Sequence, residues 1–451
     1  MSSRDAVLRV AIVGAGPAGA YAAERLLKAD GVEVEVELFD RLPTPWGLVR
    51  AGVAPDHPKI KSVTRVFEKT ADHPALRFHG GVDVGETITH DELAEHHHAV
   101  VYAQGASADR RLGISGEDLP GNVPATEFVA WYNGHPDAAD LAPPLDCKRA
   151  VIVGNGNVAL DVARMLVLGQ DELRCTDTAD HAIEAFAGSR VEEVVVLGRR
   201  GAAQASWTLP ELKELRDLEG VDVVIEDPGP AAEDVSGPAA RAAALIEGYT
   251  AGELTGAPRR IVLRFCTSPL EMLGGERVTG LRVGRNRLVE RDGRWSPEPT
   301  GEEEVLECGL VVRSIGYRGT EVAGLPFDGR NGTLPNEAGR IVGEDGAPLP
   351  GAYTAGWIKR GPSGVIGTNK KCANETVDTL LTDLEAGRVP ARARTGEELD
   401  ELLERRGVHR VDVEGWRRID QHERDLGEAQ GRPRVKLVAH ADLRERAGVA
   451  S

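Results

Sequence analysis

The chain carries the same strand, glycine loop and helix pattern twice, and this repeat constrains its fold more than any other feature. In the first copy an apolar, β-branched run, Leu8–Val13, is followed by the loop GAGPAG and the alanine-rich stretch Ala20–Ala29. This order predicts a βαβ unit of the kind that binds dinucleotides. In such a unit Gly14 permits the tight turn, Gly16 lets the backbone approach a pyrophosphate, and Gly19 lets the helix pack on the strand. The helix N-terminus then attracts the anion.

An acidic residue follows this loop at the distance that the pattern requires. Asp40 lies 21 residues after Gly19, at the end of the next predicted strand, Val32–Phe39. A carboxylate in that place accepts hydrogen bonds from a ribose hydroxyl. A glycine turn between any strand and helix is the alternative interpretation, and Asp40 favours dinucleotide binding over it.

The second copy begins near residue 150. The predicted strand Ala150–Val153 is followed by Gly154, Asn155, Gly156, Asn157, Val158 and Ala159, and then by the predicted helix Leu160–Leu168. Alanine in the third glycine position is a permitted variant of the motif. We therefore expect a second dinucleotide site.

The two copies differ in the charge that follows their second strand. The strand Val194–Leu197 is followed by Gly198, Arg199 and Arg200, so two arginines stand where the first copy has an acid. A carboxylate there suits a free 2′-hydroxyl, whereas arginines suit a 2′-phosphate. A solvated surface pair is the alternative. One site with an acid and one with arginines predict two different ligands, most economically FAD and NADPH.

Length and charge narrow the class of protein further. A chain of 451 residues is expected to hold two or three domains. With 54 basic and 72 acidic residues its formal charge is −18. So acidic a chain is poorly suited to bind nucleic acid or an anionic membrane surface.

The spacing of the cysteines and the hydropathy of the chain predict the kind of redox chemistry and the cellular compartment. The five cysteines are widely spaced and form no CxxC pair, which argues against a cysteine-ligated metal site and against a disulfide reductase. No apolar run approaches the length of a membrane span, and a predicted strand begins by about Val7, leaving no room for a leader. These features predict a soluble, cytoplasmic protein without a metal site. The triplet His96–His98 is expected at the surface.

Five sequence segments resemble one known family. They are LPTPWGLVRAGVAPDHPKIK at Leu42–Lys61, GNGNVALDVAR at Gly154–Arg164, GRRG at Gly198–Gly201, RSIGY at Arg313–Tyr317 and GWIKRGPSGVIGTNK at Gly356–Lys370. Each resembles a segment of the ferredoxin–NADP reductases of the adrenodoxin reductase type, and they occur in the same order from about residue 8 to residue 385.

The resemblance implies an α/β fold with two Rossmann-like domains, the NADP domain (residues 106–324) inserted into a discontinuous FAD domain (1–105 and 325–451). It implies that the residues near FAD are Gly14, Ala18, Asp40, Leu48, Val84, Trp357, Gly364, Val365 and Ile366, to which the glycine motif adds Gly16 and Gly19. Those near NADP would be Asn155, Gly156, Asn157, Val158, Arg199, Arg200, Glu211 and Gly364. His57 and Glu214 match a polar pair near the flavin that handles protons. Asp40 stands where the family has glutamate, which leaves the geometry of the ribose contact open.

Simpler interpretations of several residues remain. His57 precedes a proline in what looks like an ordinary turn, Glu214 lies on a charged predicted helix, and Trp357 suits a core position. The charged residues after Arg388 predict one or two exposed helices.

The activity implied by the resemblance is hydride transfer from NADPH to FAD, followed by single-electron transfer to a ferredoxin-type iron–sulfur protein. A flavin monooxygenase, a diaphorase or quinone reductase of the same fold, and a redox sensor without turnover are the alternatives. Because ferredoxins are usually acidic, docking would need a local basic patch. Its candidate members are Lys59, Lys61, Arg241, Arg259 and Arg260.

Overall fold

The computed structural model divides the chain into two compact units. It describes residues 7–230, 237–251, 254–291, 294–391 and 394–449. The first unit is formed by residues up to 108 together with those from 317 onwards, and the second by residues 109–316. The second unit is therefore an insertion within the first. The predicted domain boundaries at 105/106 and 324/325 stay predictions.

The elements are numbered in chain order. The strands are β1 (Leu8–Val13), β2 (Val34–Asp40), β3 (Leu76–Gly80), β4 (Ala99–Tyr102), β5 (Ala108–Asp109), β6 (Asn122–Pro124), β7 (Arg149–Val153), β8 (Glu193–Leu197), β9 (Val221–Glu226), β10 (Arg259–Arg264), β11 (Thr267–Gly274), β12 (Val278–Arg291), β13 (Arg294–Glu307), β14 (Leu310–Arg313), β15 (Tyr317–Arg318), β16 (Asn336–Glu337), β17 (Arg340–Val342) and β18 (Pro348–Thr354). The helices are α1 (Pro17–Leu27), α2 (Leu48–Ala51), α3 (Pro58–Lys61), α4 (Thr64–Ala71), α5 (His90–His96), α6 (Ala125–Tyr132), α7 (Asn157–Val167), α8 (Gln170–Arg174), α9 (Asp180–Ala187), α10 (Leu209–Glu214), α11 (Gly237–Ala251), α12 (Trp357–Arg360), α13 (Ile366–Glu385), α14 (Gly396–Arg405), α15 (Val413–Ala429) and α16 (His440–Arg446).

The first unit is built on a seven-stranded sheet. Its strand order is β16-β17-β18-β4-β1-β2-β3. The strands from β18 to β3 pair in parallel, and β16 and β17 extend the sheet in antiparallel fashion. Every residue of β1 is buried, as expected for a parallel strand that is covered on both faces. Because β1 lies between β4 and β2, the loop that leaves it opens at the point where strand order reverses, which is where open α/β sheets bind ligands.

The second unit repeats this plan. Its six-stranded parallel sheet has the order β6-β14-β7-β8-β10-β9. Alternate residues of β7 enter different cores: Ala150 and Ile152 face one hydrophobic cluster, while Val151 and Val153 face another that includes residues of β11, β12 and β13. The latter strands form an antiparallel sheet. These observations confirm the predicted class of two Rossmann-like α/β units.

Two expectations about the periphery were wrong. The residues after Arg388 form three helices with buried faces rather than one or two exposed ones: Leu399 and Leu403 of α14 and Ile419 of α15 are fully buried. The histidine triplet is also not superficial, because His96 and His97 are both buried. Burial is possible since each ring nitrogen Nδ1 faces a carbonyl one helical turn earlier, of Glu92 and Leu93 respectively. Within the described ranges, no helix combines the length and hydropathy needed to cross a bilayer.

Candidate functional site

The glycines of the first loop have two different roles. Gly14 and Gly19 are required by the fold, whereas Gly16 faces open space. Gly14 adopts a φ of +104°, and a Cβ there would lie 2.6 Å from the carbonyl oxygen of Ala103. A Cβ on Gly19 would lie 2.0 Å from the carbonyl oxygen of Gly14. Around Gly16, by contrast, the nearest atom to an added Cβ is the Cα of Gly47, 3.9 Å away. Gly16 therefore leaves room for a ligand at the start of α1, as the motif predicts.

Asp40 ends β2 beside this loop. Its Oδ2 accepts a hydrogen bond from the amide of Ala15 at 2.8 Å, and its Oδ1 accepts one from the amide of Leu42 at 3.0 Å. Burial raises the pKa of Asp40, and the two backbone donors oppose that rise. Each carboxylate oxygen accepts one of these backbone bonds and has capacity for a further donor, such as a ribose hydroxyl. The shorter aspartate is thus anchored to the loop by its own carboxylate.

A second segment covers the glycine loop. The amide of Trp46 donates to the carbonyl of Ala15 at 2.9 Å, and a Cβ on Gly47 would lie 3.0 Å from the Cα of Gly16. Trp46 has a φ of +80°, a conformation that is unfavourable for an aromatic residue and that often marks functional sites. Leu48, a predicted FAD contact, begins α2 directly after these residues and is 40% exposed.

A third segment, around Gly356 in the C-terminal part of the first unit, contacts the same loop. A Cβ on Gly356 would lie 2.6 Å from the Cβ of Ala18, so the start of α12 lies against the first turn of α1. Trp357 follows at once and is partly exposed, which does not support the alternative of a core tryptophan. Its ring lies 5.5 Å from that of Tyr317.

The other predicted residues of this unit lie on its loops and helix ends. Gly364 and Val365 are exposed and immediately precede α13, which begins at Ile366. Val84 follows β3 and makes an isolated bridge with Ile88. His57 is buried and precedes the first residue of α3.

Buried polar atoms beside the first loop provide a test of whether a large polar cofactor fits there. The Cα of Gln104 lies 2.7 Å from the position of a Cβ on Gly14. Within the described part of the chain, both amide atoms of Gln104, the Nε1 of Trp46, and the Nε and Nη1 of Arg360 are buried without a hydrogen-bond partner. Because buried polar atoms are normally paired, these groups fit a ligand with donors and acceptors of its own. Sequence reasoning missed both Gln104 and Arg360, although Arg360 lies in the motif Gly356–Lys370.

The second glycine loop has the same two features as the first: a glycine with positive φ in the tight turn and a glycine that faces open space. Gly154 adopts a φ of +122°, and a Cβ there would lie 2.0 Å from the carbonyl oxygen of Ser314. Gly156 has no atom within 4 Å of an added Cβ among the described residues, so it too faces open space. Asn155 accepts a backbone bond from Ser206 at 3.2 Å, and the side chain of Asn157 accepts one from Thr208 at 2.8 Å. Val158, in the first turn of α7, is partly exposed.

Arg199 and Arg200 follow β8, and hydrogen bonds to their backbone carbonyls hold them in place. The carbonyl of Arg199 accepts from the side chain of Asn286, and that of Arg200 accepts from the amide of Cys266. Neither guanidinium has a carboxylate partner in the part of the chain that the structure describes, whereas most arginines of this unit do. Two guanidiniums without a carboxylate partner among the described residues, directly after β8, suit the binding of a phosphate.

Glu211 and Glu214 are organised by a residue that the sequence analysis did not select. Arg164 is almost fully buried in α7, and its Nη1 lies 3.4 Å from a carboxylate oxygen of each glutamate. Its Nη2 donates to Asp161 at 2.9 Å. An arginine among the apolar residues of the predicted helix Leu160–Leu168 was the available signal. Glu214 is therefore paired rather than simply solvated. His57 lies in the first unit and Glu214 in the second, and their predicted joint role stays a prediction.

Comparisons with known proteins agree with this description. Residues 8–196 match the family model described as pyridine nucleotide-disulphide oxidoreductase. The chain is 48% identical over 450 residues to NADPH-ferredoxin reductase FprA of Mycobacterium tuberculosis, covering 96% of this chain and 98% of that protein. It is 42% identical to the mitochondrial NADPH:adrenodoxin oxidoreductase of Salvelinus fontinalis, covering 95% and 89%.

The solved structure of Mycobacterium tuberculosis FprA in complex with NADPH superposes with a TM-score of 0.93 at 47% identity, covering 98% of this chain and 100% of that one. The resemblance and the fold predicted from the motifs are thereby confirmed. This chain belongs to the oxidoreductase family that contains the FprA-type NADPH–ferredoxin reductases and the adrenodoxin reductases.

Proposed function

We propose that the protein is an NADPH:ferredoxin oxidoreductase that holds FAD in its first unit and binds NADPH in its second. The observation that carries the proposal is the pair of glycine loops, each with one glycine open to a ligand, of which one is followed by Asp40 and the other by Arg199 and Arg200. The names of its relatives, NADPH–ferredoxin reductase and adrenodoxin oxidoreductase, support the same activity.

In the first unit the chain binds and orients the cofactor. The backbone amides at the N-terminus of α1 bind the diphosphate, and Gly16 gives that group access. Asp40 accepts a bond from a ribose hydroxyl, and Gln104 and Arg360 offer their unpaired groups. When bound, FAD supplies the conversion between two-electron transfer from NADPH and single-electron transfer to an iron–sulfur protein.

In the second unit the chain selects the phosphorylated nucleotide. Gly156 and the start of α7 bind the diphosphate, and Arg199 and Arg200 bind the 2′-phosphate. Arg164 fixes the carboxylates of Glu211 and Glu214, so that both keep a defined position. The imidazole of His57 and the carboxylate of Glu214 are the groups that we assign to holding the proton exchanged at flavin N5.

The proposed partner is a ferredoxin-type iron–sulfur protein, and the proposed location is the cytoplasm. The basic patch expected for docking stays a prediction, although two of its members have partners within the fold. Arg259 donates to the carbonyls of Val167 and Leu168 at 2.7 and 3.1 Å, at the end of α7, and Arg260 pairs with Glu193. Lys59 and Arg241 are exposed and keep their proposed role.

Anaerobic spectroscopy tests the proposal. NADPH added to the purified protein should bleach the visible absorption of the flavin, and ferredoxin added next should restore that absorption while becoming reduced itself. A colourless protein that binds NADPH would instead indicate a sensor. Bleaching that is reversed by a quinone or by oxygen with a substrate, but not by ferredoxin, would indicate a quinone reductase or a monooxygenase.

A further inference from the structure

A buried carboxylate near the end of the chain gathers four hydrogen-bond donors. Glu423, in α15, has no exposed side-chain surface. It forms a bidentate pair with Arg50 at 2.6 and 2.8 Å, accepts from Arg434 at 3.0 Å, and accepts from the amide of Leu437 at 2.9 Å. Burial raises the pKa of Glu423, but the charges of Arg50 and Arg434 outweigh burial and lower it overall. The group is therefore an anion within the fold.

Arg50, its principal partner, is held from several sides by the C-terminal residues. Its side chain is only 9% exposed, and its guanidinium lies over the ring of Trp416, 5.4 Å from the centroid. Its carbonyl oxygen accepts a hydrogen bond from Lys436 at 3.1 Å. Trp416 and Glu423 are seven residues apart on α15, two helical turns, and so lie on one face of that helix.

Arg50 belongs to the segment that covers the first glycine loop. Arg50 lies within α2, the helix that begins directly after Gly47. Trp46 and Gly47 are the residues that contact Ala15 and Gly16. Trp46 also packs edge-on against Trp416, with ring centroids 6.5 Å apart. A continuous set of contacts therefore runs from Glu423 through Arg50 to the open glycine.

The conformation of this segment needs external support. Trp46 has a positive φ, and such backbone conformations persist only where the surroundings impose them. A bidentate arginine–carboxylate pair is strong and directional, and in a buried place its loss leaves the remaining charge unpaired.

We infer that Glu423 is a positioning residue for the first dinucleotide site: through Arg50 it holds residues 46–52 against the glycine loop and so retains the bound FAD. This inference rests on the proposed function, since it takes FAD as the ligand of that site. It also assigns a role to the chain after Arg388, whose function the sequence left open.

The test compares two variants of the full-length protein. Glu423→Gln removes the charge without changing the shape of the side chain. Asp383→Asn is the matched control, because Asp383 is also a buried carboxylate, only 4% exposed, with bonds from Arg340 and Arg388. It lies near the end of α13 and, among the described residues, has no partner in the segment 46–52.

Two measurements are made on each variant: flavin release from the purified holoprotein, followed by fluorescence after dilution, and hydrogen exchange of the backbone amides of residues 44–53. Glu423→Gln should release flavin at least about tenfold faster, with faster exchange in that segment, whereas Asp383→Asn should change both less than about twofold. Should Glu423→Gln fold poorly, Arg50→Lys, which keeps the charge but loses the bidentate geometry, should show the same pattern to a smaller degree.

Unchanged exchange in residues 44–53, or equal effects of the two carboxylate variants, would overturn the inference. A wild-type protein that binds no FAD would overturn the proposed function instead. The exchange measurement would still decide in that case whether Glu423 holds the segment.

Discussion

Replacement of Gly16 by alanine should separate ligand binding from folding. Gly16 has a φ of −74° and a ψ of −174°, which any residue adopts, and an added Cβ would meet no atom of the described chain closer than 3.9 Å. A glycine-to-alanine change at such a position leaves a fold unaffected or stabilises it by about 0.4–1 kcal/mol. The methyl group would instead occupy the space through which the backbone approaches the diphosphate.

The expected loss of affinity follows from the bonds that the methyl group prevents. A hydrogen bond to a charged group contributes about 1.5–3 kcal/mol. If two amide–phosphate bonds are lost, the cost is at least about 3 kcal/mol, or about 150-fold in the dissociation constant, since about 1.4 kcal/mol is a factor of ten. Gly16→Ala should therefore purify largely without flavin while its apoprotein unfolds at an unchanged or slightly higher denaturant concentration.

The control is Gly19→Ala, in which the added Cβ would lie 2.0 Å from the carbonyl oxygen of Gly14. That variant should lose stability even without cofactor. The assay combines the flavin-to-protein absorbance ratio, a fluorescence titration with FAD, and urea unfolding of the apoproteins. Full flavin occupancy in Gly16→Ala would refute the placement of the diphosphate at this loop.

Three further outcomes are expected. The double variant Arg199→Ala/Arg200→Ala should weaken NADPH binding at least about 100-fold and NADH binding hardly at all, because each charge-assisted bond is worth about 1.5–3 kcal/mol. Arg287→Ala, which removes an exposed arginine of the same unit, is the control, and equal losses for both nucleotides would contradict the assignment. Gly396→Ala should lower the free energy of unfolding by only about 1 kcal/mol in urea titrations, because its Cβ would lie 1.7 Å from Nη2 of Arg9 and shift that flexible guanidinium, while Glu37 keeps Arg77 and His97 as partners; a loss of several kcal/mol would count against it. Burial raises the pKa of Asp383, but hydrogen bonds from Arg340, Arg388 and Tyr353 lower it to about 2. Because this pKa lies below the usual 3.8, the ionised carboxylate adds about 2 kcal/mol to the free energy of unfolding above pH 4. That contribution is lost as the pH falls towards 2. The stability difference between wild type and Asp383→Asn should therefore be constant from pH 7 to pH 5 and shrink below pH 4.

The sequence alone determined both nucleotide-binding units. Each depends on a local pattern, a strand, a glycine loop and a helix, in which a few residues prescribe the turn and the close approach of the backbone. Asp40 was found by its spacing from the first loop, and Arg199 and Arg200 were found by their position directly after the second strand of their unit. Such signals can be read directly because they lie within about 50 residues of one another.

Only the tertiary structure decided which distant residues support these loops and which basic side chains already have partners within the protein. Arg50 and Glu423 are 373 residues apart, and nothing in either local pattern connects them. Arg259 and Arg260 look like free surface cations in the sequence, yet one donates to the carbonyls at the end of α7 and the other pairs with Glu193. Partners of this kind are brought together by the pairing of strands and the packing of distant helices, so hydropathy and spacing along the chain cannot reveal them.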